Sequence, residues 1–381
     1  MKVATKNIKR TKKTWPMVRL GNVCIVQRGV RVTRKDLDDK GKYNVYQNSL
    51  KPLGKYHSFN CEANNPFMIM ALAAGEPGFS EEPFWAADDC TYFNDLKGLD
   101  NKYLYFLLLR NKEELKRNVK QTTIPRLSNK FLENLEFPLP PLSVQREIVA
   151  RLEKELGEAD ALAAKFMEIA ENADAEFKAE LDETFKNVEG EKVRLGEVCD
   201  VLAGYPFKGN SFASTGIKIC GGLIISPTEI KWNDCKYWES SEGLEDYLLA
   251  ANDIVMALDR PWIADGFKIG MIEESDLPCL LIQRTARLRA KRIVPKYLLY
   301  LLRYPTFKEY CTFSGTTVPH ISHKDIERFI IPCPPIPAQR AIVGKLESAK
   351  LKCEKLKAAA ERGLRAAEDL RKAILAEAFE Q

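Results

Sequence analysis

The chain has 381 residues, 45% hydrophobic and 29% charged, with a formal net charge of +5. That is too long for one ordinary core, and the composition is that of a soluble globular protein rather than a fibrous or membrane-spanning one. No apolar run could cross a bilayer, the basic N-terminus lacks the apolar segment of a secretory signal, and ten cysteines without a C-x-x-C pair read as reduced thiols of a cytoplasmic protein rather than a zinc site.

Residues 1–35 hold eleven Lys and Arg and no acid before Asp36, a pattern that fits a polyanion-facing segment or a solvated tail equally. Short segments such as "KYNVYQ" and "PFMIMALAAGEPGF", punctuated by Gly, Pro and Asn, predict strands and loops. Apolar spacings of three and four predict a helix near Tyr103–Lys116. "PLPPL" then stops any helix arriving from upstream and acts as a hinge, and a long helix starts with Ser143 as N-cap. Its apolar stripe runs Ile148, Leu152, Leu156, Ala159, Leu162, Phe166, Ala170, Ala173, Phe177, Leu181, Phe185. Further on, "DIVMAL" and "LLIQRTARLRA" predict strands, and a helix is expected from Lys296 to Tyr310. "PCPPIP" precedes a second long helix, with Pro337 in its first turn and a stripe through Ile342, Leu346, Cys353, Leu356, Ala360, Leu364, Ala367, Leu370 and Ile374.

The second half repeats the first. "VRLGNVC" (18–24) returns as "VRLGEVC" (193–199) at an offset of 175. "KYLYFLLLR" (102–110), "TTIPRLS" (122–128), "PLPPLSVQREIVARLEKEL" (138–156) and "KAELDETF" (178–185) return as "KYLLYLLRY", "TTVPHIS", "PCPPIPAQRAIVGKLESAK" and "KAILAEAF" at an offset of 194. The second copy therefore carries 19 extra residues in its middle. Two copies are too few for a solenoid and fit a duplication with pseudo-twofold symmetry. The expected domains are residues 1–142, a long helix 143–188, residues 189–336 and a long helix 337–381. Twelve acids and six bases on the first helix face seven acids and ten bases on the second, which favours an antiparallel coiled coil between them. Each helix could instead lid its own domain, but about 65 Å of length exceeds the width of a small domain.

The chain resembles the DNA-specificity (S) subunits of type I restriction–modification systems. The family motif P-P-L/I-x-x-Q-R-x-I-V stands at Pro140, Pro141, Gln145, Arg146, Ile148 and Val149, and again at Pro334, Pro335, Gln339, Arg340, Ile342 and Val343. "NPFMIMALAAGEPGFSEEPFWAADDCTYF", "GYPFKGNSF", "NDIVMALDRPWIADGFKIG" and "LLIQRTARLR" resemble the recognition domains. Val144 and Ala338 depart from the Glu often found there, and "AAGEPG" departs from the usual Gly-rich turn. The resemblance implies an α+β protein in which two α/β target-recognition domains are held apart by the paired helices. It implies a non-catalytic subunit that reads a bipartite double-stranded DNA site. Its expected partners are two methyltransferase (M) subunits, which would hold S-adenosylmethionine and methylate adenine N6, and two restriction (R) subunits, which would use ATP and Mg2+.

The residues alone carry no enzyme. "NNPF" has Asn where an amino-methyltransferase needs its first Pro, and no phosphate-binding G-x-x-x-x-G-K-[ST] occurs. His320 and His323 lack acids at metal-ligand spacing, and Asp88–Asp89 reads as a solvated pair or a magnesium site. "PLPPL" reads as a structural stop rather than a polyproline ligand. For DNA, the duplicated turns offer Gln121, Thr122, Thr123, Arg126, Ser128 and Lys130, and Thr316, Thr317, His320, Ser322 and Lys324. A role shared by both copies suits phosphate contact; the alternative is a plain turn into the next strand. Base readers belong where the copies diverge: Arg28, Arg31, Arg34, Lys35 and Gln47 in the first, Tyr205, Lys208, Asn210, Arg260, Trp262 and Lys268 in the second. Gln145, Arg146, Gln339 and Arg340 are the expected partner surface, against the alternative that both arginines form local ion pairs. Two other classes stay open: a scaffold that binds DNA without reading it, and a self-contained DNA-modifying enzyme.

Overall fold

The computed structural model describes residues 15–120, 123–208, 212–264, 266–311 and 320–380. The first copy opens with β1 (Met17–Arg19), α1 (Leu20–Val23) and β2 (Ile25–Arg28). Next come β3 (Tyr43–Tyr46), β4 (Gly54–Tyr56), β5 (Asn65–Ile69), β6 (Glu76–Ser80), β7 (Phe84–Ala86) and β8 (Cys90–Asn94). It closes with α2 (Asn101–Arg110), α3 (Lys112–Arg117), α4 (Asn129–Glu133), β9 (Glu136–Pro138) and the long α5 (Leu142–Lys186).

The second copy follows the same order. It has β10 (Glu191–Arg194), α6 (Leu195–Val198), β11 (Cys199–Ala203), β12 (Ile217–Cys220), β13 (Lys236–Trp238) and β14 (Ile254–Ala257). An inserted hairpin of β15 (Trp262–Ile263) and β16 (Gly266–Phe267) precedes β17 (Ile269–Met271), β18 (Cys279–Leu281) and β19 (Thr285–Ala290). Then come α7 (Pro295–Arg303), α8 (Pro305–Tyr310), α9 (His323–Arg328), β20 (Ile330–Cys333) and the long α10 (Ile336–Phe379).

Sheet topology matches copy for copy. The antiparallel order β2-β8-β5-β6 is repeated as β11-β19-β14-β17. The mixed order β4-β3-β7, with β3 and β7 parallel, is repeated as β13-β12-β18, with β12 and β18 parallel. Ribbons β1–β9 and β10–β20 close each copy. β5 and β14 are central strands buried on both faces, so they read as unbroken apolar runs rather than alternations. Met68 and Met70 pack with Tyr103, Leu104 and Leu107 of α2, while Phe67 and Ile69 pack on the other side with Phe84 and Tyr46. Gly29 and Gly204, each just past the strand that starts the sheet, are required in both copies. A Cβ there would sit 2.1 Å from the Ala87 carbonyl oxygen and 2.0 Å from that of Ile282.

The chain divides into two compact units: residues up to Glu168 with those from Ala360 onward, and Ile169 to Ala359. Each unit thus holds a segment of both α5 and α10. In the first unit Val149, Leu152 and Leu156 of α5 and Leu375, Ala378 and Phe379 of α10 enter the core around α2, with Phe379 against Tyr103. In the second, Phe185 of α5 packs on Tyr297 and Tyr304, and Leu346 of α10 joins the same core.

Within each unit the helix segments run antiparallel. Lys345, Lys352 and Lys357 pair with Glu180, Glu176 and Asp174 at 2.5, 2.8 and 3.0 Å in the second unit. In the first, Arg371 pairs with Asp160, and Phe166 lies over Gly363, where a Cβ would come within 2.4 Å of the ring. Buried positions recur at a seven-residue step: Leu152, Ala159 and Ala173 on α5, with Phe166 half-buried between them, and Leu346, Cys353, Ala360 and Ala367 on α10. Two residues of the expected stripes therefore fall outside it. Leu162 and Leu370 are 41% and 45% exposed, while their neighbours Ala163 and Arg371 are half-buried. Both helices also start one residue earlier than expected, so Ser143, like Pro337, lies inside the first turn instead of capping it.

Candidate nucleic-acid interface

The motif glutamines are not surface groups. Gln145 is fully buried; its Oε1 accepts from the Asp100 N–H (2.8 Å), and its Nε2 donates to the carbonyls of Gly98 (2.8 Å) and Pro140 (2.7 Å). Gln339 repeats this, accepting from the Val294 N–H (2.8 Å) and donating to the Pro334 carbonyl (2.8 Å) and toward Cys333 Sγ (3.6 Å). Tyr103 and Tyr297 donate their hydroxyls to the carbonyls of Pro138 and Pro332 at 2.9 and 2.8 Å. Lys102 pairs with Glu153, and Lys296 with Glu347 at 2.9 Å. Three bolts thus weld each recognition domain to the start of its long helix. The proline segment is tied to its domain through the Pro138, Pro140, Pro332 and Pro334 carbonyls, and Gln145 and Gln339 are removed from the expected partner surface because burial spends their amides internally. Arg146 and Arg340 are exposed, and neither forms an ion pair among the described residues.

The polar turns lie at the ends of the central strands. Beyond β5, Ala71 bridges Arg126, the Leu127 N–H donates to the Met70 carbonyl, and the Met70 N–H donates to the Asp89 carbonyl. Beyond β14, Asp259 bridges His320, the Ile321 N–H donates to the Leu258 carbonyl, and the Leu258 N–H donates to the Arg284 carbonyl. The backbone is the same; the side chains are rewired. Arg126 Nη1 meets Asp89 Oδ1 at 2.8 Å. In the second copy the carboxylate stands on the strand side, where Asp259 meets His320 Nδ1 at 2.6 Å and Arg284 Nε at 3.3 Å. These pairs are partly exposed, so they orient the basic groups more than they stabilise the fold. The turns lead into short helices rather than strands: Ser128 Oγ accepts from the Phe131 N–H to cap α4, and Ser322 Oγ accepts from the Asp325 N–H to cap α9.

The other expected contacts divide. Arg28 Nε donates to the Asp88 carbonyl at 3.0 Å and Gln47 Nε2 to Asp88 Oδ1 at 3.3 Å, so both join Arg126 around the turn between β7 and β8. Asp88 and Asp89 therefore have separate partners, and no group that could hold a metal ion occurs among the described residues. Arg31, Arg34 and Lys35 lie exposed on the segment after β2, and Thr123 is exposed beside Arg126. Arg260 is exposed next to Asp259, and Lys268 is half-buried, its ammonium pushed down by burial and by Arg260. Lys208 is exposed before β12 and Lys324 on α9. Trp262 is given over to packing: its ring stacks on Phe267 at 4.5 Å, which takes away that face for a base. Gln121, Thr122, Asn210, Thr316 and Thr317 lie outside the described residues. Asp89, Asp259 and Arg284 were missed as site residues. A paired reading of both copies could have found them, since Asp89 is matched by Arg284 and Ala71 by Asp259.

Comparison with known proteins places the chain among one group. The family model described as "Type I restriction modification DNA specificity domain" matches residues 12–163 and 187–361. The chain is 31% identical over 278 residues to the type I restriction enzyme MjaVIII specificity subunit of Methanocaldococcus jannaschii, covering 66% of this chain and 64% of that one. It is 35% identical over 182 residues to the EcoAI specificity subunit of Escherichia coli, covering 46% of this chain and 31% of the other. The alignments thus span less than two thirds of these relatives. In fold, it is similar to the HsdS subunit of Thermoanaerobacter tengcongensis, with a TM-score of 0.59, 19% identity and 99% of each chain covered. A chain from a structure of the complex assembly and conformational transition of the type I R-M system gives a TM-score of 0.75 at 20% identity, covering 96% of this chain and 98% of that one.

Proposed function

Because this chain belongs to the type I restriction–modification DNA specificity family, we propose that it is a non-catalytic subunit reading a split double-stranded DNA site, one half with each recognition domain. The observation that carries the reading is the strand-end cluster, repeated with the same backbone and different side chains. Two domains that share a docking geometry and differ in polar groups can grip phosphates alike and read different bases. The chain works in the cytoplasm with two methyltransferase subunits, which bind S-adenosylmethionine, and two restriction subunits, which use ATP and Mg2+. Arg146 and Arg340, duplicated and unpaired among the described residues, are the docking residues for the methyltransferase copies.

Mapping methylated adenines in DNA from cells co-expressing the chain with its methyltransferase subunit tests the reading. A bipartite motif is expected, with no methylation from the chain alone. Methylation without any sequence motif would overturn it in favour of a scaffold, and activity of the purified chain would revive an enzyme. Reversing charge at Arg146 and Arg340 together should abolish co-purification with the methyltransferase subunit.

A further inference from the structure

Six non-glycine residues among those described have positive φ: Asn64, Leu72, Asp95, Asn252, Arg260 and Arg284. Asn and Asp tolerate that region; Leu and Arg do not, because Cβ crowds the following carbonyl. Leu72 (φ 61°) and Arg260 (φ 45°) are the same position in the two copies, each directly following the residue that bridges the polar turn, Ala71 to Arg126 and Asp259 to His320. Asn64 and Asn252, just before β5 and β14, are the other matched pair, and there the residue type suits the backbone.

So the fold holds one unfavourable backbone conformation twice and fills it with unlike side chains. Neither side chain is used internally. Leu72 is 59% exposed although it is large and apolar, and Arg260 is exposed with no hydrogen bond or ion pair among the described residues. A position needed only for the turn would carry Gly or Asn, which relieve the strain. Strain kept at an exposed position, beside a tethered basic group, marks a side chain held out for contact.

We propose that Leu72 and Arg260 are paired base-reading positions, Leu72 making apolar contact with a thymine methyl in one half-site and Arg260 donating to a guanine in the other. This rests on the DNA-reading function proposed above. The chemistry follows the base edges: a thymine offers its C5-methyl to an aliphatic group, and guanine O6 and N7 accept together from a guanidinium. The change from Leu to Arg at one backbone position would make the two half-sites differ while the docking stays common.

The test uses the full chain in complex with its methyltransferase subunit, with methylome mapping as the readout. Leu72→Gly and Arg260→Gly remove the side chains while easing the backbone, so folding and co-purification should persist; Leu72→Asn and Arg260→Asn serve if they do not. Leu72→Gly should relax one thymine position in one half-site only, with discrimination there falling about fourfold, and Arg260→Gly one guanine position in the other, with discrimination there falling about tenfold or more. Replacing that thymine by deoxyuridine in a synthetic duplex should weaken the unaltered complex about fourfold, as loss of one buried methyl predicts, and leave the Leu72→Gly complex unaffected. Folded variants that write the unaltered motif would overturn the inference and leave the function standing. An unaltered complex without a bipartite motif would overturn both.

Discussion

Gln145 and Gln339 accept a backbone N–H and donate to a proline carbonyl in the same way, 194 residues apart, whereas the strand-end side chains change almost completely. Ala71, Leu72, Asp89 and Arg126 in the first copy stand where Asp259, Arg260, Arg284 and His320 stand in the second. The joint is mechanical, and any change there leaves a buried polar group unpaired, so both copies keep it. Leu72, Arg126, Arg260 and Arg284 are exposed at the strand ends, so a substitution there costs little stability and can change what is touched. Their unchanged backbone shows that geometry and chemistry can be varied separately in one fold.

The largest expected effect comes from exchanging a whole reading end. Replacing residues 18–137 by the same region of another family member, with a tyrosine kept at Tyr103 to meet Phe379 and the Pro138 carbonyl, should change one half-site entirely and leave the other. A change in both half-sites, seen by methylome mapping, would mean the two copies read jointly. Next is the joint. Gln145→Ala and Gln339→Ala should each cost about 2–4 kcal/mol by denaturant unfolding, since each strands several buried backbone groups. Costs differing by more than about 2 kcal/mol would show that the two joints are not equivalent.

A smaller effect should separate the copies at the same joint. Tyr300 donates to Glu347 at 2.6 Å, while Phe106 holds the matching place beside Glu153. Burial raises the Glu347 carboxyl, but the Tyr300 and Lys296 bonds outweigh it and hold it below its ordinary value. With a lowered folded value, its contribution is present above the unfolded carboxylate range, near pH 4.3, and is lost as pH falls through the folded value. Tyr300→Phe should therefore cost about 1 kcal/mol at neutral pH and about half of that once Glu347 is protonated and the bond is no longer charge-assisted, measured by unfolding at both pH values. A pH-independent cost would assign Tyr300 to packing. The smallest effect is expected at Lys352→Ala, which removes an exposed pair with Glu176 and should change stability by less than about 0.5 kcal/mol.

What the amino-acid sequence determined by itself was the duplication, the central strands β5 and β14, and the two long helices with their opposite charge; the helices expected over Tyr103–Lys116 and Lys296–Tyr310 are each two helices, α2 with α3 and α7 with α8. Those features follow from local spacing: apolar residues every three or four positions, and prolines that stop a helix. Tertiary structure decided the rest. Gln145 looks like a surface residue until Gly98 and Asp100, more than forty positions earlier, close over it. Leu162 and Leu370 extend an apolar stripe on paper, but both are exposed in the folded chain, at 41% and 45%. The match of Leu72 to Arg260 is hidden because the offset between copies changes along the chain, while strand pairing restores it. The acid that tethers the turn moves from the β7–β8 loop to the end of β14, a substitution invisible to any local pattern, since only the folded sheet brings positions 89 and 126, or 259 and 320, within reach of one another.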